Sequence, residues 1–156
     1  NLLTTLICRG KMILISHRGN LHGPQPKLEN KKEYIEEAIL KGYDVEVDVW
    51  LHNGKLFLGH DQPEHLIDVS FLKNPSMWVH AKSIPTLKVL LDAGVHCFFH
   101  ENDDATLTSQ GYIWTHPNQI LVPGAVAVMP ENGLIGDIGV CYAVCSDFVG
   151  VEGRFE

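Results

Sequence analysis

The stretch that most constrains this 156-residue chain is residues 44–51, DVEVDVWL. Val45, Val47, Val49 and Leu51 alternate with Glu46, Asp48 and Trp50, the period of two that sends successive side chains to opposite faces of a strand. One face is apolar and the other carries two carboxylates two residues apart. In a parallel α/β core both faces of such a strand are covered. Two buried anions repel each other unless a cation joins them or one takes up a proton. A divalent cation is the simplest partner, because hard cations take oxygen ligands. The plain alternative is an exposed edge strand with solvated acids.

The surrounding pattern alternates strand and helix. Residues 12–16 form a short apolar strand running into His17-Arg18-Gly19. Asn30 is placed to cap a helix over residues 31–41, which Gly42 ends. Asn53-Gly54 signals a hairpin turn, and residues 55–58 return as a strand towards His60-Asp61. Residues 65–72 read as a short helix, 77–81 as a strand, 86–93 as a helix behind Pro85, and 95–99 as a strand ending at His100-Glu101. Beyond Phe99 the helical period fades, and residues 112–115, 125–129 and 140–144 read as strands. This order predicts a parallel α/β sheet in one domain over residues 12–156. A (β/α) barrel of the TIM type fits only if contracted, with reduced helices in its second half, because such barrels ordinarily need about 250 residues.

The polar residues that stand out fall at strand C-termini, the edge where parallel α/β folds bind ligands. They are His17, Arg18, His60, Lys82, His100 and Glu101. Arginine presents a planar fork to phosphate oxygens, and histidine exchanges protons near neutral pH. Trp114 also lies late in a strand and is placed to line the same mouth, or to pack. Asp103-Asp104 reads as a solvated turn.

In order and spacing, His17-Arg18-Gly19, Glu29-Asn30, Glu46-Val47-Asp48 and His60-Asp61 resemble the glycerophosphodiester phosphodiesterases, of the phospholipase C-like phosphodiesterase superfamily. That family carries a later strand ending in Glu-x-Lys, matched here by His80-Ala81-Lys82, and a last barrel strand ending in Thr-Asp, matched by Ser146-Asp147. The resemblance implies a compact barrel that hydrolyses a small phosphodiester. It implies one divalent metal held by Glu46, Asp48, Glu29 and the position of His80. It also implies His17 and His60 as the acid–base pair, with Arg18 and Lys82 on the phosphate. Three departures stand out. Leu28 replaces a proline before Glu-Asn. His80 replaces a metal-binding Glu, which shifts preference from Mg²⁺ or Ca²⁺ towards Mn²⁺ or Zn²⁺. There is no room for the large loop that often shapes the substrate pocket in relatives.

Two other functions use the same residues differently. One is a phospholipase D-like lyase that cyclises a lysophospholipid or sphingolipid, which requires an apolar channel. The other is a phosphate-ligand binding module without turnover, which has no need of two histidines. The balance of 12 basic against 19 acidic residues argues against a nucleic-acid partner, whereas a metal can reverse the sign of a site for a phosphate substrate. No apolar run reaches the ~20 residues of a membrane span, so stable membrane insertion is not expected. The four cysteines form no C-x-x-C pair and read as reduced thiols of a cytoplasmic protein. Residues 1–11 read as an appendage before a natural start at Met12.

Overall fold

A computed structural model describes residues 10–155; Cys8 and nearly all of the expected N-terminal appendage lie outside them. The described residues form ten strands in one sheet and three α-helices. In order these are β1 (Ile13–His17), α1 (Lys32–Leu40), β2 (Asp44–His52), β3 (Lys55–Leu58), β4 (His65–Ile67), α2 (Val69–Leu72), β5 (Met77–Ala81), α3 (Ile84–Asp92), β6 (Cys97–Phe98), β7 (Ala105–Leu107), β8 (Ile113–Thr115), β9 (Val126–Val128) and β10 (Ala143–Ser146). After Asp92 the described residues hold only two 3-10 turns, Pro130–Asn132 and Ile138–Val140. None of the helices is long and apolar enough to cross a membrane.

A parallel path runs β6-β5-β2-β1-β10-β9-β8. The hairpin β3-β4 extends the far half of β2 in antiparallel pairing, and β7 lies antiparallel on β8. No ladder joins β6 to β7 or β8, so the sheet is not closed. Its two ends nevertheless meet. Ser109 N–H donates to Cys97 O at 2.8 Å, Thr106 Oγ1 donates to Phe99 O at 2.9 Å, and the Phe98 and Trp114 rings lie 4.6 Å apart.

This curl divides the core. Ile15, Trp78, Phe98, Trp114, Val126 and Cys145 pack together on the inner face. Val45, Val47, Val49 and Val79 face outwards against Ile35 and Ala38 of α1 and Leu90 of α3. Behind β9 and β10 the outer layer has no α-helix: Leu121, Ile138 and Phe155 cover Ala127 and Val144 instead. Trp114 is thus a core residue, at 2% exposure.

Several local expectations change. Residues 65–72 are not one helix: Leu66 and Ile67 pair with Phe57 and Leu56, and α2 starts only where the Asp68 carboxylate accepts from Ser70 N–H at 2.8 Å. A short apolar run suits either structure, and cross-strand partners decide it. The last strand is Ala143–Ser146 rather than 140–144, because Asp137 caps a 3-10 turn by accepting from Gly139 N–H at 2.8 Å. Asn30 does not cap α1; Lys31 holds that position without a side-chain hydrogen bond. The Asn53-Gly54 turn is present, with φ of 49° and 73°, the left-handed pair that a two-residue hairpin requires.

His96 is buried under the inner core, 4.5 Å from the Trp78 ring, with Nε2 at 2.9 Å from Thr108 Oγ1. Burial pushes its pKa down to about 4. The unfolded chain therefore takes up a proton near pH 6.5 that the folded chain refuses until about pH 4, so stability falls as pH drops through that window. The His96 contribution to that loss is at most about 3 kcal/mol. Urea unfolding at pH 7 and pH 4.5 should show His96→Gln losing less stability on acidification than wild type; equal losses would contradict this.

Candidate metal and phosphate site

β2 lies at the centre of the sheet, between β1 and β5, so its two acids are buried: Glu46 is 3% exposed and Asp48 1%. The edge-strand alternative is thereby excluded. The backbone along β2 sets the site. On one edge, Arg18 N–H donates to Glu46 O at 2.9 Å, the Asn30 side chain accepts from Asp48 N–H at 2.9 Å, and Gly59 N–H donates to Asp48 O at 3.1 Å. On the other edge Lys82 N–H donates to Val49 O at 2.9 Å. Asn30 thus fills the gap on β2 where β1 has left and β3 has not yet joined.

Asp48 is the most heavily partnered group. Its Oδ1 takes His80 Nδ1 at 3.0 Å and faces Lys82 Nζ at 3.6 Å. Its Oδ2 accepts from Asn30 Nδ2 at 2.9 Å and lies 3.0 Å from Arg18 Nε, off the hydrogen-bonding direction. Burial works against ionisation, but the His80 hydrogen bond and the charges of Arg18, His80 and Lys82 outweigh it and hold this carboxyl well below its usual range. Glu46 is the opposite case. Burial, and next the charge of Asp48, push its pKa up, and its Oε2 is buried without a hydrogen-bond partner.

His17 and Arg18 end β1. His17 Nδ1 lies 2.7 Å from Asp147 Oδ1, at the end of β10, and its Nε2 lies 3.8 Å from Glu46 Oε2. Burial opposes protonation of His17, yet the Asp147 hydrogen bond and the Glu46 charge give a net rise in its pKa. Asp147 and Glu29 are bridged by Asn20, whose Nδ2 donates to both at 2.8 Å and whose Oδ1 accepts from Tyr34 Oη at 3.2 Å. Glu29 also receives Arg18 Nη1 at 3.3 Å.

Of the residues expected from sequence, His17, Arg18, Glu46, Asp48, His80 and Lys82 converge. Glu29 belongs to the Arg18–Asn20 network beside them. The His60 side chain is 43% exposed and bonds Asp61 at 2.7 Å; among the described residues no hydrogen bond or ion pair ties it to the cluster. Glu101 is exposed, and its N–H donates to Asp103; among the described residues no hydrogen bond or ion pair ties its carboxylate to the cluster. Sequence reasoning missed Asn20 and took Asn30 for a helix cap. It also gave no role to the stacking of His80 on Phe98 and His100, at 5.3 and 4.2 Å between ring centroids. The sequence signal for Asn30 was its place directly after Glu29 in the motif series that resembles the glycerophosphodiester phosphodiesterases.

Glu46, Asp48 and His80 form a buried group that could hold a metal ion, with one ligand atom from each within 4.8 Å of the others. The unpartnered Glu46 oxygen is the observation that fits a cation best, since a buried carboxylate oxygen without a donor is costly. The mixed oxygen and imidazole donors suit Mn²⁺ or Zn²⁺. No protein-family model, curated protein or solved structure matches the chain.

Asn30 carries two hydrogen bonds to Asp48 from a left-handed backbone with φ of 59°. Asn30→Ala strips both bonds and leaves the buried Asp48 N–H without an acceptor. It should destabilise the fold by about 2–4 kcal/mol, read from the urea midpoint at constant slope. A loss below about 0.5 kcal/mol would show that the pair is replaceable by water.

Proposed function

We propose that this chain is a metal-dependent phosphodiesterase of the glycerophosphodiester type, built on a contracted (β/α) barrel. The observation that carries the reading is the buried Asp48 carboxylate, ringed by Arg18, His80 and Lys82 beside a Glu46 with an open oxygen. Two fixed cations, Arg18 and Lys82, beside a candidate metal set of Glu46, Asp48 and His80 at strand C-termini suit one task well, the binding of a phosphate against a metal. The motif order His17-Arg18, Glu29-Asn30, Glu46-x-Asp48, His60-Asp61 supports the same reading, as does an inner face that curls until Phe98 meets Trp114.

In this reading Glu46, Asp48 and His80 hold the metal, which when bound supplies Lewis-acid stabilisation of phosphate charge. Arg18 and Lys82 share the phosphate charge from opposite edges of β2. Glu29 orients Arg18 from the side, through the contact at 3.3 Å, rather than acting as a ligand. His17 is the better-placed proton carrier. The Asp147 contact fixes its Nδ1, which leaves Nε2 directed towards the Glu46 side of the site. His60 follows Gly59, which is bonded to Asp48 O, so its backbone lies at the same end of β2. From there it serves as the second proton carrier once a phosphodiester lies between the two rings. Which histidine gives the proton and which takes it is set by the substrate's orientation.

Glu46→Gln and Asp48→Asn should each weaken Mn²⁺ binding by more than about tenfold in calorimetry. His17→Ala and His60→Ala should bind a phosphodiester and Mn²⁺ as wild type does, yet lose about 10²–10⁴-fold in single-turnover rate. A panel of small phosphodiesters with Mg²⁺, Ca²⁺, Mn²⁺ and Zn²⁺ supplies the assay. Wild-type turnover in either histidine variant removes that residue from the proton-transfer pair. Binding without cleavage by wild type under every metal would turn the reading into that of a phosphate-binding module.

A further inference from the structure

The strand ends of the second half contribute two histidines, His100 and His116, that the phosphodiesterase reading leaves without work. His80 stands opposite Asp48 on β2 and Phe98 on β6 in the ladder register. Its ring lies nearly parallel to Phe98, 6° apart at 5.3 Å, and to His100, 9° apart at 4.2 Å. His100 is backed by the His116 ring at 4.3 Å and 52°. The nitrogens of His100 are little engaged: Nδ1 makes one long contact, 3.4 Å to Glu101 O. What His100 offers its neighbour is therefore a flat face.

That face has a mechanical consequence. The terminal torsion of a histidine is broad, so an unsupported imidazole swings its two nitrogens through a wide arc. Here Phe98 and His100, whose own rings are only 6.0 Å apart and so lie on the same side of His80, back one face of its ring. The Asp48 contact at 3.0 Å turns Nδ1 towards Glu46 and Asp48, where a metal would take the place of the Nδ1 proton. A carboxylate at position 80 would not need such backing, because rotation about its last bond exchanges two equivalent oxygens. An imidazole ligand has one nitrogen in the right place and must be held.

We infer that His100 is a positioning residue: its ring face, with that of Phe98, braces one side of the His80 ring so that Nδ1 joins Glu46 and Asp48 in one metal-binding set. This rests on the metal reading proposed above. Groups that orient a ligand typically change metal affinity by about 10–100-fold when removed.

The test is Mn²⁺ and Zn²⁺ titration of the full chain by calorimetry, with no assay of turnover. His100→Ala should bind both ions about 10–100-fold more weakly than wild type. His100→Phe, which keeps a planar face and has no nitrogen, should stay within about threefold of wild type. If His100→Ala binds like wild type, His100 positions nothing. If His100→Phe is as weak as His100→Ala, the nitrogen matters and His100 is a ligand, which overturns the inference. Should His100→Ala fail to fold, His100→Leu, apolar but not planar, replaces it with the same two readings. No binding by wild type would instead sink the metal reading itself, a result distinct from either variant outcome.

Discussion

A single buried carboxylate organises the first half of this molecule. Asp48 is 1% exposed on a central strand, and an isolated charge there would cost several kcal/mol or be neutralised. It stays ionised because its partners arrive from separate elements: Arg18 from the end of β1, Asn30 from the loop before α1, and His80 and Lys82 from the end of β5. Each partner is held by backbone pairing to β2 or to a neighbour of it. The charge therefore binds the strand order and the loop conformations together. The left-handed φ of Arg18, 57°, and of Asn30, 59°, follows from that need, since both residues turn the chain back onto β2 at the carboxylate.

The second half solves a different problem. With no α-helix after Asp92 among the described residues, β9 and β10 carry no helical layer, and the inner face must supply more of the cohesion. It does so with large rings: Trp78, Phe98, Trp114 and Tyr112 meet at centroid distances between 4.6 and 5.8 Å. The outside is correspondingly thin, and Ile120, Leu134 and Ile135 remain exposed there. Dropping helices shortens the chain at the expense of apolar surface left facing water. The aromatic packing that compensates is continuous with the rings behind His80, so the economy of the second half and the support of the site share the same residues.

The sequence made the strand skeleton and the acidic pair legible because both rest on short-range periodicity. Residues 44–51 alternate, and strand-end histidines and basic residues recur in register with turns. What it hid depends on contacts remote in the chain. Asn20 reads as one more loop polar residue until Glu29 and Asp147, 9 and 127 residues away, close on it. Asn30 sits at a helix start and looks like a cap, yet a central strand with a vacant stretch of edge recruits it instead. β7, Ala105–Leu107, has exposed residues at both ends and no apolar period to announce it; only pairing with β8 defines it. Residues 65–67 became a strand because β3 offered a free edge, which no local propensity encodes.

The charge balance at the site explains how an acidic chain can be read as a phosphate enzyme. Glu29, Glu46, Asp48 and Asp147 face the fixed cations Arg18 and Lys82, with His17 and His80 between them. Four acids against two fixed positive charges leave nothing spare for a phosphate. Arg18 is divided between Asp48 and Glu29, and Lys82 leans on Asp48. An anion entering this arrangement would compete with the carboxylates for the same donors. A divalent ion on Glu46 and Asp48 changes that balance, because it neutralises Asp48, the acid that Arg18 and Lys82 share. In the proposed reading the acids therefore do more than hold a metal. Without it Asp48 keeps Lys82 and part of Arg18 occupied, and with it Asp48 loosens its hold on both, so metal and phosphate affinities are coupled through Asp48. Because such coupling is reciprocal, a phosphate bound at Arg18 and Lys82 must tighten the metal by the same factor.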